Sequence, residues 1–202
     1  MKNLLLGLAL GLLVVPTADA DDQKTKAAVA RKADAVTVPF LGNEKCPVTG
    51  RPVDKTKSVK HEGQTVWFCC GDCRKAGKEK PAAMVAKAYA KPVAVKNEKC
   101  PVSGQPIAEG KGKVVTFQGK QVRVCCGKCE KAFPKAPKVH LAKALNPKLK
   151  DAGNELCPIM NKPVKDDEFV VYKNKIVKIC CPGCDKKLEA NPKVLDKIVA
   201  EG

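Results

Sequence analysis

The stretch WFCCGDC, residues 67–73, places three thiols in five positions, two of them adjacent. The pattern returns as VCCGKC at 124–129 and as ICCPGC at 179–184. Each copy follows one further cysteine in a CP turn: Cys46 in NEKCPVTGRPV, Cys100 in NEKCPVSGQPI and Cys157 in NELCPIMNKPV. Three chemistries suit such sets. Four thiolates, Cys46 with Cys69, Cys70 and Cys73, Cys100 with Cys125, Cys126 and Cys129, and Cys157 with Cys180, Cys181 and Cys184, would complete a tetrahedral Zn2+ site in each copy. Within a set, a pair such as Cys70-x2-Cys73 suits a softer ion such as Cu+. An even cysteine count in an exported chain also fits disulfides, although a bond between neighbours Cys69 and Cys70 would be strained. A thiol–disulfide oxidoreductase is the third reading, but such pairs open a helix within a larger βαβ unit, and these segments are too short for one.

The adjacent thiols constrain the backbone. Neighbours on a strand point to opposite faces, so Cys69 and Cys70 reach one ion only if the strand ends there and the chain turns. Gly71, Gly127 and Pro182-Gly183 stand where that turn is needed. Without it, Cys69 and Cys73 bind with Cys46 and leave Cys70 free, or Cys70 and Cys73 act as a pair.

The elements that must position these thiols recur with them. The knuckle cysteines are 54 and then 57 residues apart, so one small unit is copied in tandem. Between knuckle and cluster, SVKHEGQTVWF, VVTFQGKQVRV and FVVYKNKIVKI read as hairpins, with Gly63, Gly119 and Asn174 at the turn. Val66 and Phe68, Val122 and Val124, and Val177 and Ile179 alternate with Trp67, Arg123 and Lys178, which predicts one buried and one wet face. A lysine-rich helical segment follows each cluster, with Pro81, Pro137 and Pro192 at one offset; NPKVLDKIVA reads as an Asn191 cap, proline at the first helical position and a short helix. A unit this small does not bury enough apolar surface to be comfortably stable alone, and the cysteines are the obvious staples.

The predicted fold class is therefore small α+β metal-stapled modules: three tandem knuckle, β-hairpin and helix units at 43–90, 97–145 and 154–201. Residues 21–42 read as a basic flexible segment, and the joins near 90–96 and 146–153 as linkers, giving beads on a string. Residues 1–20 read as a Sec-type signal peptide: Lys2, an apolar run from Leu4 to Val15, then Ala18-Asp19-Ala20. The expected location is periplasmic or extracellular, with no membrane span in the mature chain.

The formal charge of +17 favours polyanionic surfaces or a protein partner through basic faces. Aromatics at 4% argue against the stacking platforms of a nucleic-acid binder, and no specific nucleic acid is expected. The sequence holds no recurring carboxylate pair, glycine-rich phosphate loop or histidine partnered to a repeated nucleophile, so an enzyme is not expected. His61 and His140 align with Phe117 and Tyr172, and with Met84 and Leu195, which reads as packing. Trp67 reads as an isolated exposed aromatic, or as a partner contact unique to the first copy. Met84 and Met160 form no methionine-rich copper motif.

The spacing Cys46-x22-Cys69-x3-Cys73, with a hairpin between and a helix ending in a proline-led turn, resembles the TRASH and YHS heavy-metal-binding domains, small treble-clef-like zinc-finger modules of metal sensing, trafficking and resistance. Cys157-x22-Cys180-x3-Cys184 matches it, and Cys100-x24-Cys125-x3-Cys129 is two residues longer in the hairpin. The resemblance implies that the knuckle cysteine and the first and last cysteines of each cluster are ligands. Two departures stand out. Cysteine replaces the family's serine after the first cluster cysteine, and Thr49, Ser103 and Met160 stand near the usual place of the knuckle ligand. The expected function is metal binding by three modules, holding zinc, copper or another soft heavy metal for storage, scavenging or delivery, or zinc as a structural ion.

Overall fold

The computed structural model describes residues 35–201; the expected signal peptide and positions 21–34 lie outside them. The strands are β1 (Asp54–His61), β2 (Gln64–Phe68), β3 (Val93–Ala94), β4 (Lys113–Phe117), β5 (Lys120–Val124), β6 (Lys150–Asp151), β7 (Phe169–Tyr172) and β8 (Lys175–Lys178). In each repeat an antiparallel hairpin, β1–β2, β4–β5 or β7–β8, closes over two left-handed residues: Glu62-Gly63, Gln118-Gly119 and Lys173-Asn174. That turn has the twist that flanking strands require. The expected alternation is present: Val66, Phe68, Val122, Val124, Val177 and Ile179 are buried, while Trp67, Arg123 and Lys178 are half-buried on the other face.

The helices are α1 (Gly71–Glu79), α2 (Pro81–Ala88), α3 (Gly127–Ala132), α4 (Pro137–Leu145), α5 (Gly183–Ala190) and α6 (Asp196–Glu201). Pro81 and Pro137 stand in the first turn of a helix, where a missing N–H costs nothing. The third repeat differs from expectation. Pro192 opens a 3-10 turn, Pro192–Leu195, before α6, and Asn191 makes no side-chain cap hydrogen bond.

The repeats are not separate beads. The described residues form one compact unit. The two expected linkers carry strands: β3 pairs in parallel with β5, and β6 with β8, so each join adds a third strand to the sheet of the repeat that follows. Segment 36–41 is also built in. Val36 lies in the third repeat's core, Leu41 in the second's, and Thr37 forms an antiparallel bridge with Val171. Ala136, Val139 and Ala142 pack on Leu149, Phe169 and Ile176, so α4 of repeat two faces the sheet of repeat three. Lys138 Nζ reaches Glu168 at 3.1 Å across the same boundary. Small cores explain this: repeats two and three share apolar surface at their boundary, while the first repeat keeps a core of its own residues and meets the second through Tyr89 beside Gly119.

Candidate metal centres

Each site starts from a knuckle. The N–H of Cys46 donates to the Arg51 carbonyl at 2.8 Å, and the N–H of Gly50 donates back to the Cys46 carbonyl at 2.8 Å. The same pair of bonds ties Cys100 to Gln105 and Gly104, and Cys157 to Lys162 and Asn161. An asparagine then clamps the knuckle to the second hairpin strand. Asn43 donates through Nδ2 to the carbonyls of Lys45 and Trp67, at 2.8 and 2.9 Å, and accepts the Trp67 N–H through Oδ1 at 2.9 Å. Asn97 makes these bonds with Lys99 and Arg123, and Asn154 with Leu156 and Lys178. In the sequence these three asparagines are marked only by their recurrence three positions before each knuckle cysteine.

The clamp carries the knuckle cysteine to the strand end, where the chain turns into a helix. Cys70 and Cys126 cap α1 and α3 in extended conformation, and Pro182 caps α5. Three sulfurs then converge in each repeat: Cys46, Cys69 and Cys73; Cys100, Cys125 and Cys129; Cys157, Cys180 and Cys184, each set lying within 4.8 Å. The closest separations are 3.8 Å for Cys69–Cys73, 3.5 Å for Cys125–Cys129 and 3.6 Å for Cys157–Cys184. A tetrahedron with metal–sulfur bonds near 2.3 Å has edges of about 3.8 Å, so the triads fit a thiolate-bound ion. All twelve cysteines are free thiols.

The second cysteine of each doublet is outside the triad. Cys126 is exposed, and Cys70 and Cys181 are half-buried. They remain close: Cys126 Sγ is 3.8 Å from Cys125 Sγ, and Cys181 Sγ is 3.3 Å from Cys184 Sγ. The strand does end before the doublet, as a four-thiolate site requires, and the turn leaves the second thiol beside the triad.

The proton inventory is asymmetric. Burial opposes ionisation of Cys46, yet the backbone N–H groups of Cys69, Thr49 and Val48 and the Thr49 hydroxyl face its sulfur and bring the thiol down to about 6. Cys100 also falls to about 6 against its burial, through the Ser103 hydroxyl and the N–H groups of Ser103, Cys125 and Val102. Cys157 reaches about 7, where burial is offset by the N–H groups of Cys180, Ile159 and Met160 and by the Cys180 thiol. In the opposite direction, the Cys70 thiol and then burial push Cys73 up to about 12, and burial with the surrounding sulfurs pushes Cys129 up to about 12. The first two knuckles therefore present a thiolate to an arriving cation near neutral pH, while Cys73 and Cys129 would release protons on binding.

The remaining candidates pack rather than ligate. His140 Nδ1 lies 3.0 Å from the Phe133 carbonyl oxygen with its ring tilted over Phe133, and burial holds it below the usual imidazole range. Trp67 is not isolated. Phe40 meets its ring edge-on at 5.0 Å, and a Cβ on Gly42 would come within 2.1 Å of the ring, so only glycine passes there. Among the described residues, no helix is long and apolar enough to cross a membrane. Compared with protein-family models, curated proteins and solved structures, the chain has no match. The three cysteine clusters thus define small mixed α/β modules with the geometry to hold metal ions.

Proposed function

We propose that the chain is an exported metal-binding protein of three TRASH/YHS-like modules, each holding one zinc, copper or other soft ion for storage, scavenging or delivery, and that it is not an enzyme. The observation that supports this best is the threefold return of a sulfur triad at the edge length of a thiolate polyhedron. Where the ion is zinc, its binding also contributes folding energy to small modules of this kind. The basic faces add a place for a polyanion: Lys96, Lys99, Lys120 and Lys148 line one cleft of about 730 Å³, together with Glu98 and with Lys143, which is paired with Asp151.

Single variants Cys46→Ser, Cys100→Ser and Cys157→Ser test the reading. Each should lower the metal count by one, read by native mass spectrometry. Retention of the full complement by all three would contradict knuckle ligation.

A further inference from the structure

The three sites serve as each other's controls, and one position separates them. The knuckle turn directs its fourth residue at the cluster: Thr49 Oγ1 lies 3.2 Å from Cys69 Sγ, and Ser103 Oγ lies 3.4 Å from Cys125 Sγ. In the third repeat this residue is Met160. Its backbone holds the same place, since the next residue, Asn161, donates to the Cys157 carbonyl at 2.9 Å, as Gly50 and Gly104 do to Cys46 and Cys100 at 2.8 Å. Its N–H faces the Cys157 sulfur, as that of Thr49 faces Cys46.

Resting on the metal-binding reading, we propose that the third site is the soft-ion site, where the Met160 thioether serves as a ligand and gives repeat three a preference for Cu(I) over Zn(II) that the other two lack. A hydroxyl beside a thiolate stabilises its negative charge, which suits a borderline dication held by several thiolates. A thioether donates no hydrogen bond and offers a neutral, polarizable sulfur, which suits a univalent soft ion. Met160 is 43% exposed and unbranched, so its side chain is free to turn onto an ion.

The test uses the full chain, reduced and anaerobic, with three equivalents of Zn(II) and then one equivalent of Cu(I) as its acetonitrile complex. Sites are located by thiol alkylation and peptide mass spectrometry, with copper absorption spectroscopy to read a thioether ligand. Copper should settle on Cys157, Cys180 and Cys184. Met160→Thr should remove that preference, and Thr49→Met should create it in repeat one. Both variants install a residue that a sister repeat already carries at the same turn, so the modules stay folded. Ligand and adjacent-shell changes alter metal affinity by roughly 10–100-fold, and a shift of that size is expected. Equal division of copper among the repeats, or an unchanged preference in Met160→Thr, overturns the proposal while leaving three metal sites intact. Failure of any repeat to retain either metal overturns the proposal together with the metal-binding reading beneath it.

Discussion

Replacing Asn97 by alanine tests how the fold builds a centre. The side chain is 7% exposed and makes three hydrogen bonds, to the Lys99 carbonyl at 2.9 Å, the Arg123 carbonyl at 2.7 Å and from the Arg123 N–H at 3.0 Å. Truncation leaves these backbone groups without the clamp, at about 1 kcal/mol each, so Asn97→Ala should cost about 3 kcal/mol. Metal binding and folding are linked in modules this small, so the same free energy should appear in metal affinity, on the order of 100-fold at this site. Asn154 makes the same bonds but is half-buried, so water replaces part of the loss and Asn154→Ala should cost about half as much. Urea denaturation gives the stability change, and zinc competition with a chromophoric chelator, read repeat by repeat through thiol protection, gives the affinity. A loss under about 1 kcal/mol for Asn97→Ala, or an equal fall in affinity at all three sites, would refute the clamp's role.

Gly77→Ala should destabilise the first repeat by roughly 1–3 kcal/mol despite alanine's better helix propensity, because its Cβ would sit 2.3 Å from the fully buried Phe68 ring; chemical denaturation measures it. Phe40→Ala should red-shift the emission of Trp67, the single tryptophan, and remove about 0.5–1.5 kcal/mol of ring–ring contact, with unchanged emission arguing that segment 36–41 does not cover it. In metal-free, reduced protein, Cys46 and Cys100 ionise near 6 and Cys157 near 7, all below the ordinary thiol value. A lowered folded-state pKa gives stability that is present above the ordinary value and lost as pH falls through the folded one, so apo stability from these thiolates should decline from about pH 9 toward pH 6. Thiolate absorbance near 240 nm should follow the same titration, and a first thiolate appearing only above pH 8 would contradict the knuckle geometry.

The hairpins were legible because Gly63, Gly119 and Asn174 mark a left-handed residue at one offset in three copies. Their left-handed neighbours Glu62, Gln118 and Lys173 were not, since the sequence carries no glycine there. The recurring cysteines showed where a site would form. Which thiol enters it depends on the direction of the backbone after the strand, and spacing does not encode that direction. Packing between repeats was hidden for another reason: β3 and β6 are two residues long, too short for any period to show, and Val36 and Leu41 lie in the apolar stretch AVTVPFL, which names no partner by itself. The asparagine clamp was written in the repeats, but its partners Trp67, Arg123 and Lys178 lie 24 or 26 residues further on, and only the folded hairpin brings them together.

The most direct measurement is paired native and denaturing mass spectrometry of the protein recovered from the exported fraction, without added metal or reductant. Three triads that hold metal predict a native mass raised by three ions, falling on denaturation to a chain with all twelve thiols reduced. A metal-free native mass short by two hydrogens for each cysteine pair would instead show disulfides and contradict the account.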